Sequence, residues 1–138
     1  MKKKLLILLL TFSLIFVLLS GCQEETDEFE PIKNVELDSD LVKLVYGRIN
    51  QNLDDGIVVS VDVEYLFKNL LDRDITISIS AEFLDENNNS LAIVGTKNIS
   101  LLPNHEEKYP SPQQNVITYT DEDAAEVDHV KLIVTEKI

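Results

Sequence analysis

Few side chains in this sequence could do chemistry, and the cysteine at position 22 is the most informative of them. Cys22 is the only cysteine among 138 residues, so no disulfide can form within the chain. It stands between an apolar run, residues 5–19, and an acidic segment, residues 23–40. That setting is not typical of a buried cysteine. We therefore expect Cys22 to lie outside the core.

The two histidines give little support for acid–base or nucleophilic catalysis. His105 falls in a polar turn, and His129 begins a predicted strand. The chain has no Gly-x-Ser-x-Gly segment to present a nucleophilic serine, and His105 has no second histidine spaced to share a metal on one helical face. We expect no catalytic residue, no cofactor and no enzymatic activity.

Acidic turns leave one metal alternative open. Residues 121–123 with Asp128, or residues 85–87, could supply oxygen ligands to calcium in a calcium-rich exterior. Neither set has the Asp-x-Asp-x-Asp-Gly spacing of a calcium loop, and acidic turns are usually solvated in a chain with a formal net charge of −13. The prediction is no metal site, with a calcium-dependent binder or enzyme as the alternative.

The segment before Cys22 predicts export. Residues 1–4 are Met-Lys-Lys-Lys, and residues 5–19 contain no charged side chain. A membrane-spanning helix needs about 20 apolar residues, whereas about 7 to 15 are typical of a signal peptide. The three lysines favour a cytoplasmic N-terminus, so we expect the rest of the chain outside the cytoplasm.

Leu19-Ser20-Gly21-Cys22 resembles the lipobox of prokaryotic lipoproteins at all four positions. The resemblance implies that the signal peptide, residues 1–21, is removed and that Cys22 becomes a lipid-bearing N-terminus, with palmitate among the expected acyl groups. The implied location is the outer face of the cytoplasmic membrane. In a diderm host it is the outer membrane, because Gln23 is not the aspartate that signals inner-membrane retention. An uncleaved anchor is the alternative.

The mature chain is strongly acidic. The signal peptide removes three of the 12 basic residues and none of the 25 acidic ones, which leaves a formal charge of −16. Residues 22–40 carry eight acids against Lys33 alone, so we predict a solvated flexible tether. Its coil would span roughly 25 Å. The negative charge argues against binding to nucleic acid or to anionic lipids.

Residues 41–138 are patterned as strands. In residues 75–83 the apolar side chains occupy the odd positions and polar ones the even positions, which indicates an antiparallel strand with one buried face. Residues 57–68 alternate in the same way, with Val59, Val61, Val63, Tyr65 and Phe67 predicted inward. Further strands are predicted at 41–49, 91–101, 115–120 and 129–135, with a short one near 108–109, and residues 121–126 form either a helical turn or a loop. The fold class is all-β, an antiparallel immunoglobulin-like sandwich of about six to seven strands.

Residues 63–109 are similar to the FxLYD group of immunoglobulin-like domains. The matching segments are Phe67-Lys68-Asn69, Phe83-Leu84-Asp85, Leu102-Pro103-Asn104 and Tyr109. Asparagine replaces the group's glycine at Asn88 or Asn89 and at Asn104, and asparagine tolerates a positive φ. The type 2 late-embryogenesis-abundant domain has a related layout and stays as an alternative. Neither family implies an enzymatic activity.

The predicted function is a non-enzymatic interaction module held to the membrane lipid through acylated Cys22. Its expected partner is a protein of the cell envelope, reached through strand edges and loops. A structural envelope component without a specific ligand is a further alternative.

Overall fold

The computed structural model describes residues 34–138, which contain seven strands and one 3-10 helix. The strands are β1 (Val35–Asp38), β2 (Val42–Asp54), β3 (Ile57–Asn69), β4 (Ile75–Leu84), β5 (Ser90–Leu101), β6 (Val116–Tyr119) and β7 (His129–Glu136). The 3-10 helix is Ala124–Glu126. In this described part of the chain, no helix is long and apolar enough to cross a membrane.

The strands form two facing sheets. One has the order β1-β7-β4-β5 and the other the order β2-β3-β6. Every hydrogen-bonded pair is antiparallel except β1 with β7, which is parallel. The predicted all-β sandwich is confirmed, and its strand number lies within the predicted range.

Strand β4 shows why the sequence alternates. Its five odd positions are at most 2% exposed and belong to the core: Ile75, Ile77, Ile79, Ala81 and Phe83. The even positions between them are half-buried. Because successive side chains of a strand point to opposite faces, the apolar row faces the other sheet. Complete burial of such a side chain contributes about 1.5–3 kcal/mol.

Strand β3 follows the predicted alternation except at its start. Val61, Val63, Tyr65 and Phe67 are fully buried. Val59 was predicted inward but is 42% exposed. The pairing of β2 with β3 shifts register between Asn52 and Leu53, which leaves Val59 without an opposite residue. This β-bulge interrupts the period-two pattern, so the prediction for Val59 is wrong.

The predicted tether, residues 22–40, overlaps the folded domain. Val35–Asp38 form β1 and pair with β7, from Val35 opposite Val130 to Asp38 opposite Ile133. Val35 is 8% exposed. The boundary predicted at residue 41 is therefore too late, because Val35 and Leu37 pack against the core and dock a short edge strand from within an acidic stretch. Residues 22–33 of the predicted tether and the predicted signal peptide, residues 1–21, lie outside the described residues.

Two smaller expectations also change. No strand forms near residues 108–109, where a single bridge pairs Lys68 with Glu106 instead. Strand β2 continues to Asp54, five residues beyond its predicted end. Residues 121–126 contain the short 3-10 helix, so the helical turn was the correct alternative.

The turns have the backbone conformations that their residues favour. Asp55 and Gly56 connect β2 to β3 with φ values of 47° and 81°, as in a two-residue type I′ hairpin. Asn88 and Asn104 have φ values of 63° and 54°. Asparagine thus supplies the positive φ at both places where it replaces glycine.

The sheets approach each other closely at the edge formed by β1 and β2. A Cβ on Gly47 would lie 3.0 Å from the Cβ of Val35. Real Cβ atoms rarely approach so closely, so Gly47 gives Val35 the space it occupies.

Candidate functional site

Cys22, the predicted lipidation site, lies outside the described residues, but the structure places the point where the chain enters the sandwich. The Asn34 side-chain amide donates to the carbonyl of Asp128 (3.0 Å), and Val130 N donates to the Asn34 carbonyl (2.9 Å). Leu84, which ends β4, pairs with His129. We call this the proximal end and define it as Asn34 with residues 85–89 and 121–128.

The distal end lies at the opposite limit of the strands. There Ile75 pairs with Leu101, and the Asn69 amide donates to the carbonyl of Leu102 (2.9 Å). We define the distal end as residues 70–74 and 102–109. Any anchor that precedes Asn34 is therefore connected to the proximal end.

Asp85 organises the β4–β5 turn at the proximal end. One carboxylate oxygen accepts the backbone N–H groups of Asn87 and Asn89 (both 2.8 Å), and the other accepts the Asn89 side-chain amide (2.9 Å). These hydrogen bonds, that from the Asn89 side chain first, lower the pKa of Asp85 below its ordinary value. The Asp85 carboxylate therefore stabilises its own turn through these hydrogen bonds.

Two other acidic side chains of the proximal end also accept hydrogen bonds from nearby groups. Asp121 accepts the N–H of Glu122 (2.8 Å), and Asp123 accepts the hydroxyl of Tyr119. An open depression of about 390 Å³ is lined by Asp85, Glu86, Asn87, Ala125, Glu126 and Asp128. Among residues 34–138, no three His, Cys, Asp or Glu side chains come together in a way that could hold a metal ion. The structure does not assemble the calcium ligands that the sequence offered.

The two histidines lie at opposite ends of the sandwich. His129 Nδ1 is 3.1 Å from the carboxylate of Asp128, and the His129 side chain is 15% exposed. His105 is exposed, and its carbonyl accepts the N–H of Asn69 (2.9 Å). Within the described range, neither ring is hydrogen-bonded to a serine or threonine that it could activate.

Asn69, the last residue of β3, ties the distal loops to the core. It is fully buried. Its amide nitrogen donates to the carbonyls of Arg73 (2.9 Å), Leu101 (3.4 Å) and Leu102 (2.9 Å), and its oxygen accepts the N–H of Leu71 (2.9 Å). One side chain therefore fixes both loops of the distal end.

β6 pairs with β3 only as far as Glu64. Further along β3, Glu107 supplies hydrogen-bonding partners in place of a strand. Its backbone N–H donates to the Phe67 carbonyl (2.9 Å), and its carboxylate accepts the Phe67 N–H (2.8 Å) and the Asn115 side-chain amide (3.1 Å). Asn115 is buried, and its carbonyl accepts the N–H of Tyr65 (3.0 Å). Burial, with a smaller contribution from the Glu107 charge, raises the pKa of Tyr65.

Three large apolar side chains in the loops of the distal end are exposed. Tyr109 is 80%, Leu102 63% and Leu70 49% exposed. Tyr109 also lines an open depression of about 340 Å³, together with Glu107, Asn115 and five other residues between 105 and 114. We call Leu70, Leu102 and Tyr109 the distal patch. Single exposed apolar residues are common, but Leu70 directly follows buried Asn69, and Leu102 accepts a hydrogen bond from the Asn69 side chain. Tyr109 lies two residues after Glu107.

Sequence reasoning found part of this arrangement. Asn69 was identified only as half of a Lys-Asn pair, and Tyr109 as an aromatic residue after a turn. Glu107 was missed, because nothing in its neighbourhood distinguishes it from the exposed Glu106. Strand edges were predicted as binding elements. Both β2 and β5 are long edge strands, and two register shifts interrupt the pairing of each with its neighbour.

Comparisons with known proteins leave the family open. No protein-family model matches the chain, and no curated protein matches it. The chain is similar to the crystal structure of Campylobacter jejuni cj0090, at 12% identity and a TM-score of 0.42 over 77% of this chain and 100% of that one. It is also similar to a DUF1425 family member from Shewanella sp. pv-4, at 14% identity and a TM-score of 0.44 over 70% of this chain and 79% of that one. At these scores the likeness carries no functional argument, and the FxLYD resemblance stays a prediction.

Proposed function

We propose that the protein is a non-enzymatic lipoprotein of the cell envelope that presents its distal patch to a protein partner. Lipid on Cys22 would anchor it to the outer face of the cytoplasmic membrane, or to the outer membrane in a diderm host. The observation that carries the proposal is the polarity of the sandwich. The chain enters at the proximal end, and the distal patch is exposed at the other end.

The chemistry of the distal patch suits a protein partner. Exposed tyrosine and leucine side chains can bury apolar area, and tyrosine also offers a hydroxyl for hydrogen bonding. Buried Asn69 and half-buried Glu107 hold the loops in place, so the partner would meet a preorganised surface and less entropy would be lost on binding. In the mature chain, the formal charge of −16 argues against nucleic acid as the partner.

Site-directed photo-crosslinking in the native host tests this function. If Cys22 carries lipid, Tyr109→Cys provides the only free thiol for a photoactivatable probe. Ile93→Cys is the matched control, because Ile93 is 63% exposed but lies on β5 outside the distal end. A specific protein adduct from Tyr109→Cys, absent from Ile93→Cys, is the expected result.

The alternatives predict other outcomes. A structural envelope component would give no adduct that distinguishes the two positions, and that result would contradict the proposal. A calcium-dependent binder would show a higher melting temperature in calcium than in sodium chloride of equal ionic strength. We expect no difference between the two salts.

A further inference from the structure

Strand β2 has an outer edge that pairs with no other strand of the described chain. The strand is 13 residues long and stands at the edge of its three-stranded sheet. One row of its backbone N–H and C=O groups therefore has no strand partner within residues 34–138. Such an edge is a template for a further strand, so this sheet can be extended at β2.

The charges of β2 favour a second copy of this chain as the source of that strand. β2 carries Lys43 and Arg48 against Asp54 alone, whereas the whole chain has 25 acidic and 12 basic residues. Repulsion between two copies is therefore weaker at this edge than over most of the surface. Within residues 34–138, neither Lys43 nor Asp54 forms an ion pair. Lys43 lies directly opposite Lys68, where like charges are unfavourable, so a facing carboxylate would stabilise it.

The pairing of β2 with β3 shows which side chains of β2 share a face. Leu44 lies opposite Phe67 and Tyr46 opposite Leu66, so Val45 is the extra residue of a β-bulge. The inward residues of β2 are those opposite the core-facing residues of β3, and the outward residues alternate with them. The inward set is Leu44, Gly47, Ile49, Gln51 and Leu53, and the outward set includes Lys43, Arg48, Asn50, Asn52 and Asp54.

These faces restrict how β2 can pair with a second β2. Residues opposite each other in an antiparallel pair lie on the same face, so a two-fold pairing must be centred on one residue. A centre at Arg48 would place the two Arg48 side chains opposite each other. A centre at Gly47 would leave Asp54 beyond the end of the second β2, and a centre at Asn50 would leave Lys43 beyond it. A centre at Ile49 avoids all three faults.

We propose that two copies of this chain pair antiparallel through their β2 edges, centred on Ile49, so that two three-stranded sheets join into one of six strands. In this register Lys43 lies opposite Asp54 of the second copy, and each such contact occurs twice. Leu44 lies opposite Leu53 of the second copy, so Leu53, which is 62% exposed, gains an apolar neighbour. The bulge at Val45 falls once in each half of the pairing.

This inference goes beyond the proposed function, since it holds whether or not Cys22 carries a lipid. Val35 packs against Gly47, two positions from the centre, so both chains would enter the dimer near its two-fold axis. A single membrane can then hold both anchors. β2 begins at the distal end, where Val42 pairs with Asn69. The two distal patches would therefore lie at the outer ends of the dimer.

Disulfide trapping between two differently tagged full-length chains tests the register. Both chains carry Cys22→Ala and are kept in neutral detergent, so each introduced cysteine is the only thiol in its chain. Lys43→Cys mixed with Asp54→Cys should form a disulfide between the two tags. Either variant alone should form none, because the two copies of residue 43 lie roughly 33 Å apart at ~3.3 Å per residue. Ile93→Cys, exposed on the other edge strand β5, is the matched control and should form none.

Charge reversal tests the same contact without a crosslink. In sedimentation equilibrium of the full chain in density-matched neutral detergent, we expect Lys43→Glu to raise the dimer dissociation constant about tenfold, because two ion pairs become two like-charge contacts. Asp54→Lys should act in the same direction. The two changes together recreate both ion pairs and should restore the wild-type constant. Far-ultraviolet circular dichroism of every variant separates loss of pairing from loss of folding.

Each other outcome would overturn the proposal. A monomer at every concentration would leave the β2 edge to a strand of another protein. A dimer that charge reversal does not weaken, or that the double change does not restore, would place the contact elsewhere. A disulfide formed by Lys43→Cys alone would mean a different register. A disulfide formed by Ile93→Cys alone would assign the contact to β5.

Discussion

The two ends of the sandwich hold their irregular segments in different ways. At the proximal end, Asp85 bonds to residues two and four positions along the chain. At the distal end, Asn69 reaches Leu102, 33 positions away, and Glu107 reaches Phe67, 40 positions away. The proximal β4–β5 turn is thus held by hydrogen bonds between neighbours in sequence, whereas the distal loops depend on bonds to residues far away along the chain. The distal loops should therefore be coupled to global stability, and the β4–β5 turn should not.

The largest expected effect follows from Asn69→Leu. This change leaves the carbonyls of Arg73 and Leu102 and the N–H of Leu71 without their partner at a fully buried position. We expect the free energy of unfolding to fall by about 3–4 kcal/mol. Asn87→Leu is the proximal control, because the Asn87 side chain is exposed. Urea denaturation checks both variants, and equal losses would remove the distinction between the ends.

A smaller effect is expected from Glu107→Ala. The change unpairs the Phe67 N–H and the buried Asn115 amide, at a cost of about 2 kcal/mol. Its neighbour Glu106 is 4.0 Å from Lys68 on the surface, where an ion pair contributes about 0–1 kcal/mol. Glu106→Ala should therefore change the urea midpoint little. A larger loss from Glu106→Ala than from Glu107→Ala would contradict the role given to Glu107.

At the proximal end, Asp85→Asn should have a still smaller effect that depends on pH. The pKa of Asp85 is lowered on folding. Its stabilising contribution is therefore present above the unfolded value of about 4 and is lost as the pH falls through the lower folded value. The melting temperatures of wild type and Asp85→Asn should converge in acid. A constant difference from about pH 7 to about pH 2 would show that the Asp85 charge does not hold the turn.

The smallest effect is expected at Tyr119 and only in alkali. The hydrogen bond to Asp123 raises the pKa of Tyr119 to about 12, against about 10 for an unfolded tyrosine. Its contribution is complete below the unfolded value and is lost as the pH rises to the folded one. The melting temperature of wild type should therefore fall more steeply across that interval than that of Tyr119→Phe. Parallel curves would contradict this assignment, because Tyr65 is present in both proteins.

The sheets could be predicted from the sequence because their signal is local. In β4, the alternation of Ile75, Ile77 and Ile79 with polar residues is enough to define a strand and its buried face. Val59 was assigned to the wrong face because the register shift that exposes it depends on pairing with β2. β1 was missed because four residues in an acidic stretch become a strand only when β7 is beside them.

The distal end could not be predicted for the same reason. The resemblance to known domains pointed to Asn69 but not to its bonds, and no local pattern marks Glu107 as the residue that completes β3. Both depend on segments that are distant in sequence. The proximal turn at residues 85–89, by contrast, was readable as a turn because its aspartate and asparagines are neighbours along the chain.

The most direct test of the account compares wild type with Cys22→Ala in the native host, by the intact mass of the mature protein and its partition into detergent. We predict that wild type begins at Cys22, carries the mass of its lipid and partitions into detergent. We also predict that Cys22→Ala is neither cut before residue 22 nor lipidated. If both proteins retain residues 1–21 and partition alike, Cys22 is incidental and the lipoprotein account is wrong.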